Sequence, residues 1–138
     1  MKKLYTSNYA RHANNPLAIG ISLVVPEWYV GVRMLDLAPT SDMVFSIKRD
    51  RHGYNKRKYV RDYIDLMHDR KINPHALIKS LPTGTLLLCY ESPEDFCHRH
   101  VLADWIKEHT GFEIEEWKNE KELLADKQSK VVDSIVSF

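Results

Sequence analysis

The stretch from Thr85 to Ile106 constrains the fold more than any other part of the chain. An apolar run of strand length, Thr85-Leu86-Leu87-Leu88-Cys89, follows the turn signal Pro82-Thr83-Gly84. Such a run reads as a strand covered on both faces. A polar turn and an amphipathic segment come next. Ser92 suits an N-cap, where its hydroxyl accepts a bond from an orphan N–H of the first turn. Pro93 suits the first helical position, which needs no N–H. Asp95 completes a capping-box-like Ser-x-x-Asp and sets negative charge at the positive end of the helix dipole. The spacing therefore predicts a buried strand, a tight turn and a helix that begins just after Ser92.

Read at about 100° per residue, that helix turns His98, Val101, Leu102, Trp105, Ile106 and His109 to one apolar face. Cys97 and Arg99 flank the face, while Phe96, His100, Ala103 and Lys107 point away. His98 then faces inward just beyond the carboxyl end of the strand. That is where open α/β sheets place their ligands. Glu91 sits in the connecting turn, so Glu91, Cys97, His98 and Arg99 form the candidate catalytic site. Each residue also has a structural explanation. Cys97 fits a small buried hydrophobe, and His98 fits a core histidine bonded to backbone. Arg99 fits a clamp that pairs with Glu91 or Asp95.

At 138 residues the chain has the length of one domain and can bury a core without disulfides or metals. A net charge of +1 implies no global attraction to nucleic acid or membranes. Charge is unevenly spread, however. Residues 112–138 hold seven acids against four lysines, a balance of −3, which leaves +4 on the first 111 residues. Lys2 and Lys3 are followed by Leu4, Tyr5 and Thr6 rather than by an apolar signal core. No apolar run approaches transmembrane length. Two cysteines do not make a disulfide scaffold. The cytoplasm is the expected compartment, with no membrane partner.

Along the chain, Lys3 to Thr6 reads as a first short strand and Ser7 to His12 as a polar turn. Leu17 to Val25 reads as a long central strand, in which Gly20 marks a close backbone approach. Pro26-Glu27-Trp28-Tyr29 ends it. Val32 to Leu37 is mixed. Met43 to Ile47 fits either a strand or a helix capped by Thr40 or Ser41. Lys48 to Gly53 reads as a basic loop. Lys56 to Arg70 has the pattern of a helix capped by Asn55, with Tyr59, Val60, Tyr63, Leu66 and Met67 on one face. Asn73-Pro74 opens a short helix through Leu81. Gly111 stands in the C′ position of the key helix. Phe112 to Trp117 alternates as an edge strand does. The alternation of strands and helices predicts an α/β fold of three layers: a mainly parallel sheet flanked by helices, Rossmann-like and single-domain. This body spans residues 1–117. Residues 118–138 form a C-terminal tail that is helical or partly loose, with docking or self-association as its expected roles.

From Lys48 to Arg61 there are seven basic residues and one acid. Lys48, Arg49 and Arg51 are candidate phosphate contacts, since a basic loop can close over an anion. Tyr9 and Trp28 are candidate stacking platforms for a base. The alternative is a solvated helix face plus a charged loop, with Trp28 plugging the end of the sheet. A nucleophilic Cys97 needs a base, and neighbours on a helix diverge by about 100°, which puts His98 out of line for the thiol proton. The Cys-x5-Arg loop of cysteine phosphatases is absent, since Ala103 stands six residues after Cys97. The spacing Cys89-x7-Cys97-His98-x-His100 matches no common zinc pattern, so no metal is expected. A Cys89–Cys97 disulfide or redox pair is conceivable but lacks Cys-x-x-Cys spacing. The glycines are scattered and form no phosphate loop, so no cofactor is expected.

The segment Leu88-Cys89-Tyr90-Glu91 with Cys97-His98-Arg99 resembles the signature of a bacterial and phage family known as domain of unknown function 488. The likeness extends to Tyr5-Thr6-Ser7-Asn8-Tyr9, to Ile19-Gly20-Ile21-Ser22 with Pro26-Glu27-Trp28, and to Leu37-Ala38-Pro39. It covers residues 3 to about 117 and leaves out the tail. The resemblance implies a compact α/β fold and a pocket lined by Glu91, Cys97, His98 and Arg99. It supplies no reaction. Two readings follow from residues and resemblance together. In one, the pocket binds or processes a nucleotide or a nucleic-acid-related anion. In the other, the chain is a non-catalytic module for nucleic acid or protein, and the motif is a structural clamp.

Overall fold

The computed structural model describes residues 1–49, 53–91, 96–119, 121, 123–125 and 127–128. Among the described residues, five parallel strands form one sheet: β1 (Tyr5–Asn8), β2 (Ala18–Gly20), β3 (Val32–Arg33), β4 (Leu86–Cys89) and β5 (Glu115–Glu116). Their order is β3-β2-β4-β1-β5. The chain thus builds outward from β1 to β3, and β4 then inserts between β1 and β2. The helices are α1 (Tyr9–His12), α2 (Ser41–Arg49), α3 (Lys56–Asp69), α4 (Pro74–Ser80) and α5 (His98–Thr110). This is the expected single-domain, Rossmann-like α/β fold, with every strand pairing parallel.

Strand β4 is central because all four of its residues are apolar and buried. Side chains alternate along a strand, so its two faces feed two cores. Leu87 joins the larger core, with Leu4, Ile21, Tyr63, Met67, Leu102 and Ile106. Leu86 and Leu88 join the smaller one, with Tyr9, Ala18 and Tyr29. Helices α2 to α5 cover the first face, while α1 and the Tyr29 loop cover the second. Leu87, Leu88 and Leu102 are fully buried, and truncating one such leucine costs about 2–5 kcal/mol.

Caps set the helix ends. The Asn55 side chain accepts from Lys58 N and opens α3. Asn73 does the same for α4, with Pro74 in the first turn. Gly111 closes α5 at φ 75°, a left-handed conformation that favours glycine. A Cβ on Gly20 would meet the Tyr9 hydroxyl at 2.7 Å, so β2 packs directly against that ring.

Several boundaries differ from the sequence reading. The run Leu17–Val25 contributes only Ala18–Gly20 to the sheet. Ile21 N still donates to Leu88 O, but the chain then bends at Ser22, whose hydroxyl donates to Val24 O. The turn Ser7–His12 instead continues β1 into α1, because the Asn8 side chain accepts from Arg11 N as a cap. Residues 41–49 resolve as helix, so Lys48 and Arg49 belong to its last turn rather than to a loop. Helix α5 begins at His98, later than the Ser92 cap implied. Ser92, Pro93, Asp95 and Arg51 lie outside the described residues, as do residues 131–138 of the tail. The described tail residues 121, 123–125 and 127–128 are helical and exposed.

Candidate functional site

A cleft of about 590 Å³ opens at the carboxyl ends of β2 and β4. Ser22, Val24, Val44, Ile47 and Pro39 form one side, and Tyr59, Phe96 and Tyr90 supply aromatic walls. Lys48 from α2, Lys56 from α3 and Glu91 bring charge, while Cys89, Cys97 and His98 bring sulfur and imidazole.

The late start of α5 determines this chemistry. Cys97 is the N-cap residue, with extended backbone (φ −152°, ψ 148°). It therefore does not obey the 100° step between helical neighbours. Its Sγ lies 3.7 Å from His98 Nδ1, which corrects the expectation that His98 is out of line for the Cys97 sulfur. On the far side of the ring, Nε2 is 2.7 Å from Ile21 O. A carbonyl can only accept, so Nε2 carries the proton and Nδ1 presents its lone pair to the sulfur. Burial pushes the imidazole down to about 4, against a smaller opposing effect of the Ile21 carbonyl. His98 is thus a neutral base at physiological pH. The Tyr63 ring lies 5.7 Å from it and holds its other flank.

Cys89 ends β4, and its sulfur is joined to that of Cys97, with an S–S distance of 2.09 Å and a Cα separation of 7.5 Å. The ligating atoms of Cys89, Cys97 and His98 all lie within 4.8 Å of one another, and all three residues are buried. Linear spacing concealed this cluster, because its members come from a strand end and a helix start.

Arg99 points elsewhere. Its side chain is fully buried and forms a two-point ion pair with Glu116 of β5, Nε to Oε1 and Nη2 to Oε2, both 3.1 Å. Thr6 of β1 also donates to Glu116 Oε1, at 2.7 Å. The spare Arg99 Nη1 donates to Cys89 Sγ at 2.9 Å. The clamp partner is Glu116 rather than Glu91; Asp95, the other expected partner, lies outside the described residues. Glu116 carried no signal in sequence beyond its place in an alternating edge strand.

The other site residues separate in space. Lys48 and Glu91 line the cleft. Tyr9 is buried behind it, donating to Ser22 Oγ at 2.5 Å and touching the Tyr29 and Tyr90 rings edge-on. It thus positions a wall residue rather than lining the cleft itself. Trp28 is 60% exposed and stands outside the lining. Arg49 lies over the Phe45 ring at 5.6 Å, also outside it. Tyr59, Phe96 and Lys56 line the cleft without a site signal in the sequence. Tyr59 reads simply as core from its helical spacing, and helical periodicity turns Phe96 outward, whereas the helix has not yet begun there.

A family model for the active DUF488-N3 subclade matches residues 6–110. The chain belongs to the DUF488 family. No curated protein and no solved structure matches it. The matched span runs from β1 through the end of α5, so it holds the whole cleft lining and both cysteines, while Glu116 falls beyond it. No helix among the described residues is long and apolar enough to cross a membrane.

Proposed function

We propose that this DUF488 domain binds an anionic ligand with a flat, apolar body in the cleft, of the nucleotide or nucleic-acid-end class. The observation that carries this reading is the lining itself. Tyr59 and Phe96 meet edge-on, 5.2 Å apart, and offer aromatic surface. Lys48 and Lys56 bring positive charge from two different helices. Lys56 Nζ rests over the Phe96 ring at 5.5 Å, so aromatic wall and cation form one surface. The volume lies in the range of roughly 300–1,000 Å³ common to small-molecule sites. The groups available for chemistry on such a ligand are the Cys97 sulfur, the His98 imidazole and the Glu91 carboxylate. The matching subclade is described as active, which supports chemistry somewhere in the matched domain.

The test is a thermal-shift panel of nucleotides, phosphosugars and short oligonucleotides on wild type, Lys48→Ala and Lys56→Ala. A ligand at 100 times its Kd stabilises the folded state by about 2.7 kcal/mol. Stabilisation of the wild type that weakens in both lysine variants is expected. No shift with any ligand at millimolar concentration counts against the reading. Arg99→Ala is the wrong variant for this purpose, since its loss leaves Glu116 uncompensated.

The second reading is a non-catalytic module in which the motif only braces α5 on the sheet. The Arg99–Glu116 pair favours it for that one residue. It predicts that His98→Ala destabilises the fold and leaves ligand binding unchanged.

A further inference from the structure

We infer that Cys89, Cys97 and His98 form a zinc site at the floor of the cleft when the two sulfurs are reduced. The inference stands whether or not the cleft takes a nucleotide. The sequence spacing argued against a metal, but the fold brings one nitrogen and two sulfur donors within 4.8 Å of one another. This Cys2His donor set is one that zinc takes, with thiolates at about 2.3 Å and imidazole nitrogen at about 2.0–2.1 Å.

Three further observations point to thiolates sharing an ion rather than to a permanent disulfide. The Cα atoms of Cys89 and Cys97 are 7.5 Å apart, beyond the span of about 4.4–6.8 Å usual for disulfides. Two sulfurs on one tetrahedral ion tolerate a wider separation. His98 Nδ1 turns a free lone pair towards Cys97 Sγ while Nε2–H is bound to Ile21 O. Metal-bound histidines characteristically donate their second N–H to a backbone carbonyl in this way, which fixes ring and tautomer. A disulfide has no use for that lone pair. Finally, Arg99 Nη1 donates to Cys89 Sγ at 2.9 Å. A buried guanidinium is matched to a sulfur that carries charge, as a metal-bound thiolate does.

Charge also balances. Two thiolates neutralise one divalent ion, and Arg99 is neutralised by Glu116. The three donors leave one coordination position of a tetrahedron, and all three residues line the cleft. Sites of three protein ligands with an open fourth position bind water or substrate there. The fourth position is thus reachable from the space where a ligand would sit. Formation of the site begins with a dithiol reductant, which breaks the S–S bond, is itself oxidised to a disulfide and leaves two protein thiols. Binding of the ion then releases both thiol protons.

The experiment is a titration of the dithiol-reduced full chain with Co²⁺, followed by displacement with Zn²⁺, and metal analysis of the protein purified without chelator. A sulfur-to-cobalt charge-transfer band saturating at about one ion per chain, with tetrahedral visible bands, is expected. Zinc should bleach it and protect both cysteines from a thiol reagent. Cys97→Ser should abolish the band and should fold, because serine is favoured at the N-cap position that Cys97 occupies. Circular dichroism checks that fold. Three results would overturn the inference: cobalt uptake without the charge-transfer band, an undiminished band in folded Cys97→Ser, or two thiols that stay fully reactive in excess zinc. The last would assign the pair to disulfide chemistry instead.

Discussion

His98 and Arg99 are neighbours in sequence and both are buried, yet they serve opposite sides of β4. His98 turns towards β2, where Ile21 O holds it beside the cleft. Arg99 turns across β1 to β5, where Glu116 closes on it. The first environment leaves a nitrogen lone pair and a sulfur facing a space large enough for a ligand. The second engages all three nitrogens of the guanidinium on fixed partners. A motif read as one functional unit is therefore two devices joined back to back, one that holds the sheet together and one that faces a cleft. Cys89 touches both, through its sulfur contacts with Cys97 and Arg99.

The largest expected effect tests the closed side. Removing one partner of a buried ion pair leaves an uncompensated charge and costs about 3–5 kcal/mol. Arg99→Ala and Glu116→Ala should each lose that much in urea denaturation. The double variant Arg99→Met with Glu116→Leu should recover most of it. A loss below about 1 kcal/mol in the single variants would contradict the clamp assignment.

The next effect belongs to the cleft side and appears in acid. Burial holds His98 at about 4, below its ordinary 6.5. The unfolded chain therefore binds the proton first. The stability contributed by neutral His98 is present above pH 6.5 and is lost as pH falls from 6.5 towards 4. Across that window the slope should approach about 1.4 kcal/mol per pH unit in the metal-free protein. His98→Gln should flatten it, and an unchanged slope would show that other groups govern acid unfolding.

An alkaline limb sharpens the contrast, since it arises in tyrosines of α3 and of the segment just before it, of which Tyr59 and Tyr63 border the cleft side and Tyr54 does not. Burial and the hydrogen bond to Asp62 push Tyr54 up to about 12. Tyr59 and Tyr63 are raised further, chiefly by burial. These groups favour folding below pH 10 and lose that contribution as pH rises through their folded values. Tyr54→Phe should shift the alkaline midpoint less than any change at Tyr63, whose hydroxyl donates to Leu37 O at 2.7 Å inside the core.

The smallest effect on stability is expected at Lys48 and Lys56, both exposed. Alanine there should alter the unfolding free energy by no more than about 0.5 kcal/mol. The same substitutions should remove most of the ligand-induced thermal shift. A stability loss as large as that of Arg99→Ala would erase the distinction between a cleft surface and a closed clamp.

Sequence alone determined the elements whose signals are local. Leu86 to Cys89 is a buried strand because nothing in it tolerates water. Asn55 and Asn73 start helices because their side chains satisfy an N–H three residues on. The position of the candidate site beyond the end of β4 was legible for the same reason. Tertiary structure decided what each site residue does. Where α5 begins depends on how its first turn seats against β2, and that one boundary turned Cys97 from a helical flank into a cap beside His98. The partner of Arg99 lies 17 residues on, in a strand that pairs with β1. The meeting of Cys89 with Cys97 and His98 depends on a strand end and a helix start converging, a relation that spacing along a chain does not encode.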